Sequence, residues 1–95
     1  MLRHFPTLLA RWAGAWSTMS MLTDSHRTLV IVLRQDGRAG RLEVMCIDPE
    51  FIHGRVQWPD AHIGVALDGD GGFVVLDTAA DVRIITGSVE IKEYL

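Results

Sequence analysis

The sequence predicts a mainly β single domain, α+β at the margin, with an N-terminal helix and a curved antiparallel meander of seven or eight short strands. Apolar and polar residues alternate with a period of two from Thr28 onward, as expected of strands. Short segments rich in glycine and aspartate, which favour tight turns, separate these runs. Helical spacing of apolar residues precedes them, so we expect the helix to pack on, or plug, a barrel or half-barrel.

The composition is that of one globular domain covering residues 1–95. The chain has 95 residues, of which 48% are hydrophobic and 22% are charged, and this length suffices for a single core. Residues 1–47 carry six arginines against three carboxylates, whereas residues 48–95 carry three cations against nine carboxylates. No block of like charge exceeds two residues, so the sequence predicts no nucleic-acid partner.

Cysteine content and hydropathy indicate the cellular compartment in which we expect the protein. Cys46 is the single cysteine, which excludes an intrachain disulfide and favours a reducing, cytoplasmic setting. The N-terminus imitates a signal peptide, but Pro6 breaks its apolar run and Arg11 ends it, short of the roughly 7–15 residues required. No apolar run approaches the roughly 20 residues of a membrane span, so we predict no membrane association.

The first element is a predicted helix over about 6–15. Pro6 has the fixed φ that suits a first helical turn, while Gly14 weakens the end, and residues 16–22 could equally leave the helix as a strand. Helical spacing would place Trp12 and Trp16 on one face. These indoles would pack on the sheet, the commoner arrangement, or present an apolar patch to a ligand or partner.

The next elements are predicted strands. Residues 28–34 have a fully apolar middle, which indicates a central strand covered on both faces. Residues 35–40 supply turn chemistry, and a second strand follows with Leu42, Val44 and Cys46 on one face, until Asp48 and Pro49 end it.

Further hairpins are predicted downstream. Residues 58–61 read as a reversal between a strand with Val56 and Trp58 and a strand over 63–67. Two more strands follow at 73–76 and 82–86. Gly87 and Ser88 then predict a type II′ turn that pairs Thr86 with Val89.

The glycine-rich stretch 68–72 raises the question of a calcium loop. An EF-hand loop needs oxygen ligands at positions 1, 3 and 5, a glycine at 6 and a glutamate at 12. Asp68 and Asp70 fit the first two positions, but Gly72, Phe73 and Ala79 occupy the other three. We therefore predict a hairpin loop here and no metal site.

Other polar clusters offer little chemistry. On the predicted hairpin, His53 and His62 would be about 13 Å apart along the strands, so they could share one ion only with the help of a bulge or a partner chain. Cys46 lies on an apolar strand face, where we expect a small buried hydrophobe and no nucleophile. His26 beside Asp24 could act as a general base, although such a pair is more often a cap or turn. No catalytic residue and no cofactor is predicted.

A short segment resembles a known family. The run Ala13-Gly14-Ala15-Trp16 and the residues after it resemble the first-strand Gly-x-Trp segment of lipocalins and related calycin barrels. The resemblance implies that Gly14 and Trp16 would hold the two family positions, with the tryptophan plugging the closed end of a barrel. In that family the interior binds a small apolar molecule.

These observations give two leading functions. The first is a non-enzymatic binding module that holds a small apolar ligand between the helix and the inner face of the sheet, with Trp12, Trp16, Leu29, Ile31 and Trp58 as ligand-binding residues. The rival is an assembly module in which the apolar surfaces meet another chain. An enzyme comes third, since small barrels host isomerase or cyclase chemistry with few titratable groups. Uncovered sheet edges favour a homodimer.

Overall fold

A computed structural model describes residues 4–21 and 27–95 and confirms a mainly β fold. The elements are α1 Phe5–Arg11, β1 Ala15–Met21, β2 Thr28–Arg34, β3 Arg41–His53, β4 Gln57–Ala61, β5 Gly64–Leu67, β6 Phe73–Asp77 and β7 Val82–Tyr94. The strands form one antiparallel sheet in the order β4-β1-β2-β3-β7-β6-β5. The sheet curls into a half-barrel with the helix at one end.

The helix is shorter than predicted, and the alternative of a strand after it is correct. Trp12 already has a non-helical φ of −110°, and Gly14 adopts a φ of +86°, which turns the chain into β1. Along β1 the inward side chains are Ala15, Ser17 and Met19. Trp16 therefore points outward, and the prediction that Trp12 and Trp16 share a helical face is wrong.

The first predicted hairpin is confirmed. Strands β2 and β3 pair from Thr28 with Ile47 to Leu33 with Leu42, and the turn between them contains Gly37 at φ +72°. In β2 the three consecutive residues Leu29, Val30 and Ile31 are buried, as expected of a strand covered on both faces, whereas in β3 every second residue from Leu42 to Cys46 is buried. Together these residues form much of the core.

Strand β3 does not end at Asp48 and Pro49, contrary to the prediction. Asp48 adopts a φ of +56°, and the register with β7 shifts between Pro49 and Phe51. Such a bulge tolerates a proline, which has no N–H to donate to the ladder. The strand therefore continues beyond β2, paired with β7, to His53.

The predicted type II′ turn at Gly87 and Ser88 is also wrong. Residues 82–94 form one strand, β7, in which Ser88 pairs with Ile47 of β3. A Cβ on Gly87 would lie 3.4 Å from the carbonyl oxygen of Ile47, an ordinary van der Waals distance, and the residue is part of the extended strand. The paired strands β3 and β7 form the longest ladder in the half-barrel.

The predicted hairpin at 58–61 is wrong as well. Residues Trp58 to Ala61 belong to β4, which pairs with β1, while β5 pairs with β6 at the opposite edge of the sheet. Only two residues, His62 and Ile63, link these edges. A connection this short requires the sheet to curl until its edges come close together.

The interior of the half-barrel is filled by side chains. Trp12, Ile31 and Ile84 are fully buried, and Trp58 is 1% exposed. The remaining core members are Leu9, Ala15, Met19, Leu29, Leu33, Leu42, Val44, Cys46, Ala61, Ile63, Val75 and Val82. The helix therefore caps a packed core.

Candidate functional site

The five residues predicted to bind a ligand do not line one cavity. Trp12, Leu29, Ile31 and Trp58 are between 0% and 2% exposed and belong to the packed core. Trp16 is 48% exposed on the outer side of β1. The helix and the sheet do meet at a concave site, but other side chains form it.

That concave site is a groove between α1 and β5, which we call the α1–β5 groove. Its volume is about 500 Å³, and its walls are the helix on one side and β5 with the end of β6 on the other. The lining residues are Phe5, Pro6, Leu9, Ala10, Ala13, His62, Ile63, Gly64, Val65 and Leu76. The surface is therefore mainly aliphatic and aromatic carbon.

The helical wall is held by a carboxylate on the last strand. Glu93 of β7 accepts a hydrogen bond of 2.7 Å from the indole Nε1 of Trp12, at the end of α1. It also accepts one of 2.6 Å from the guanidinium of Arg11. The hydrogen bond from Trp12, followed by those from the arginine, lowers the pKa of the Glu93 carboxyl.

The β2–β3 turn also holds the end of α1, together with Glu93. The guanidinium of Arg38 stacks 3.9 Å from the centre of the Trp12 ring and donates a 2.7 Å hydrogen bond to the carbonyl of Arg11. Gln35 donates to the carbonyl of Ala13 at 3.1 Å. Because last-turn carbonyls of a helix lack intrahelical partners, these donors fix the end of α1.

The opposite wall is held by a buried aspartate. Oδ2 of Asp77, which is 1% exposed, accepts hydrogen bonds from the indole of Trp58 at 2.9 Å and from the backbone N–H of His62 at 2.8 Å. Trp58 lies on β4 and Asp77 on β6, so one carboxylate joins the two sides of the half-barrel. Ile63 and β5 follow directly and form the wall of the groove.

The groove carries little polar chemistry. Of the described residues that line it, His62 is the one with an ionisable side chain. Its Nδ1 lies 3.0 Å from the carbonyl oxygen of Asp60, and since a carbonyl only accepts, Nδ1 carries the proton in this contact. General acid–base catalysis needs converging polar groups, whereas this lining favours burial of apolar surface.

The other predicted features lie apart from the groove. Cys46 is fully buried, as predicted, and burial raises the pKa of its thiol to about 12. His53 contacts Asp81 at 3.0 Å on the surface, and because β4 and β5 do not pair, the predicted hairpin spacing between His53 and His62 does not apply. Asp24 and His26 lie outside the described residues.

The glycine-rich loop is a turn, as predicted. It joins β5 to β6, and the N–H of Asp68 donates a 2.8 Å hydrogen bond to the carbonyl of Gly72. Within residues 4–21 and 27–95, no group of three histidine, cysteine, aspartate or glutamate side chains is placed to hold a metal ion.

Comparison with known proteins adds no relative. The chain matches no protein-family model, no curated protein and no solved structure. The resemblance of the Gly14-x-Trp16 segment to lipocalins therefore stays a prediction. In the described ranges no helix combines the length and the hydropathy of a membrane-crossing segment.

Proposed function

We propose that this protein is a non-enzymatic binding module that holds a small apolar ligand in the α1–β5 groove. The observation that supports the proposal is the groove itself, about 500 Å³ in volume and lined mainly by carbon. Ligand sites in proteins are concave, mostly apolar and roughly 300–1,000 Å³ in size. The sequence predicted a ligand between the helix and the inner face of the sheet, whereas the walls of this groove are α1 and β5. Trp12 and Trp58 support these walls and do not line them.

Both walls are preorganised, which lowers the entropic cost of binding. Glu93 fixes the end of α1 through Trp12, and Asp77 fixes the approach to β5 through His62. The binding free energy per non-hydrogen atom is at most about 1.5 kcal/mol for very small ligands and falls to about 0.3 kcal/mol for drug-sized ones. At the lower figure a ligand of about a dozen carbon atoms gains about 4 kcal/mol, which corresponds to a dissociation constant on the order of 1 mM.

A groove-filling substitution tests the proposal. Ala10 lines the groove and is exposed, so Ala10→Phe would fill part of the volume without disturbing the core. Thr7→Phe adds the same ring to another exposed position of α1 that does not line the groove, and it serves as the matched control. The probe is N-phenyl-1-naphthylamine, an uncharged dye whose emission rises in apolar surroundings.

The wild type and Thr7→Phe should bind the dye with equal affinity, and 1-decanol should displace it. Ala10→Phe should bind it at least about tenfold more weakly, because about 1.4 kcal/mol of lost contact suffices for that change. Equal dye binding by all three proteins, or no binding by the wild type, would refute the groove as the site.

The assembly function has separate support at the far end of β3. Phe51 and Ile52 point to opposite faces of the strand and are 46% and 44% exposed, so both faces of this end carry apolar surface. We propose as the second function a homodimer formed through this end. Sedimentation of the wild type and of Phe51→Ser tests it, since a stable dimer should bury at least about 1,000 Å² and should weaken in the variant. A wild type that sediments as a monomer would exclude it.

A further inference from the structure

Trp16 differs from the other two tryptophans in its surroundings. Trp12 and Trp58 are buried, and each donates its indole N–H to a carboxylate. Trp16 is 48% exposed and, among the described residues, has no hydrogen-bond partner for its indole. It sits on β1 between β4 and β2, so its backbone is fixed while its ring faces solvent. An exposed indole held on a rigid strand is well suited to stack on a flat ligand.

A β-bulge opens a cleft beside this ring. Ala15 pairs with Ala61 and Ser17 pairs with Trp58, so Trp16 stands opposite two residues of β4, Pro59 and Asp60. Asp60 adopts a φ of +54° within this bulge. The resulting cleft, which we call the bulge cleft, has a volume of about 290 Å³. Bulges are frequent beside binding sites, where they redirect side chains.

The rim of the bulge cleft is charged but mixed in sign. Arg34, the cross-strand partner of Trp16, contributes a guanidinium, while Asp36 and Asp60 contribute carboxylates. The described residues offer neither Arg34 nor Asp36 a side-chain hydrogen bond or an ion pair. The Asp60 carboxylate is 79% exposed and its Oδ1 lies 3.8 Å from Nδ1 of His62. The rim thus presents hydrogen-bond donors and acceptors that are open to a ligand.

This charge pattern narrows the class of ligand. The two carboxylates oppose a phosphate or other anion, and the guanidinium opposes an organic cation. An apolar molecule would bury the charged rim without offering partners, which is costly. A neutral molecule with several hydroxyl groups satisfies both signs, because each hydroxyl donates to a carboxylate or accepts from the guanidinium.

We propose that the bulge cleft is a saccharide-binding subsite in which one sugar ring stacks on Trp16 and its hydroxyls bond Asp36, Asp60 and Arg34. The C–H face of a pyranose is apolar and packs on an indole, while its edge carries the hydroxyls. The cleft equals the liquid volume of about ten water molecules, which suits one ring of about a dozen heavy atoms. None of these four residues lines the α1–β5 groove, so the two sites are independent proposals.

The test uses the three indole N–H resonances of the full chain. The titrants are the methyl glycosides of glucose, galactose, mannose and N-acetylglucosamine at millimolar concentrations. At least one should shift the Trp16 resonance along a saturable curve. The resonances of Trp12 and Trp58 should stay fixed, because Glu93 and Asp77 hold their N–H groups.

Variants separate stacking from hydrogen bonding. Asp36→Asn should weaken the active glycoside about tenfold, the usual effect of losing a charged hydrogen-bond partner, while Asp70→Asn in the β5–β6 loop should leave it unchanged. Trp16→Ala should abolish saturation transfer from protein to glycoside, with unshifted Trp12 and Trp58 resonances reporting an intact fold.

Three results would overturn the proposal. The first is a Trp16 resonance that responds to none of the four glycosides. The second is a response to tetramethylammonium or inorganic phosphate with none to the sugars. The third is undiminished saturation transfer in a folded Trp16→Ala protein.

Discussion

The indole Nε1 of Trp58 lies 2.9 Å from Oδ2 of Asp77, and both side chains are closed to solvent. The two residues belong to strands that are not neighbours in the sheet, β4 and β6. The same oxygen accepts the N–H of His62, so one buried carboxylate ties β4, the link after it and β6 together. The curl of the sheet, and with it the wall of the α1–β5 groove, depends on this contact.

Replacing Asp77 with asparagine should destabilise the fold. The amide keeps one acceptor oxygen but cannot serve both donors as well as a carboxylate, so we expect a loss of about 1–3 kcal/mol in the free energy of unfolding. Asp70→Asn makes the same chemical change in the exposed β5–β6 loop and should cost less than about 0.5 kcal/mol. Urea denaturation of both variants measures the difference, and similar midpoints would contradict the proposed role of Asp77.

The anchor at Glu93 should make stability depend on pH. Its carboxyl has a lowered pKa in the fold, chiefly because Trp12 donates to it, with help from Arg11 and Arg38. A carboxyl of this kind stabilises the fold above its unfolded pKa of about 4.3, and the contribution is lost as the pH falls through the lower folded value.

The stability advantage of the wild type over Glu93→Gln should therefore be largest near neutral pH and should shrink in acid. Glu90→Gln changes an exposed residue of the same strand and provides the control. Urea denaturation of the wild type and of both variants at pH 7, 5 and 3, values that bracket the unfolded pKa, measures these differences in stability. A difference between wild type and Glu93→Gln that is constant across the series would be inconsistent with the shift.

The period of the apolar residues correctly predicted a strand where the side chains of one face are buried in the core. Leu42, Val44 and Cys46 alternate along β3 and are all fully buried. Glycine was ambiguous, because it occurs both in tight turns and inside strands. Gly37 turns the chain, whereas Gly87 lies inside a strand beside the carbonyl of Ile47. A local pattern does not separate the two uses.

The candidate site could not be predicted, because its walls meet only through long-range pairing. The helix and the β5 wall are about fifty residues apart in the chain. Residues 58–61 have the composition of a turn, yet they belong to β4, an edge strand that pairs with β1. Sequence patterns likewise did not reveal that two tryptophans donate to Asp77 and Glu93, since carboxylates are usually exposed.

The thiol of Cys46 should be inert in the folded protein. Burial raises its pKa to about 12, so at pH 8 almost no reactive thiolate forms, whereas the unfolded thiol, with a pKa of about 8.5, is partly ionised. A disulfide reagent should therefore label Cys46 of the native protein only as fast as the protein unfolds. In denaturant the same reagent should label Cys46 at once. Labelling of the native protein as fast as of the denatured protein would contradict the burial of this side chain.

Gly37 and Gly40 provide a matched pair in the β2–β3 turn. Both adopt positive φ, +72° and +84°, but a Cβ on Gly37 meets nothing within 4 Å, whereas a Cβ on Gly40 would overlap the carbonyl oxygen of Tyr94. Gly37→Ala should thus cost about 1 kcal/mol from backbone strain alone. Gly40→Ala should cost about 2–4 kcal/mol, because steric overlap with the end of β7 adds to the strain. Thermal denaturation of the two variants gives the comparison, and equal destabilisation would show that β7 does not pass as close to the turn as the structure places it.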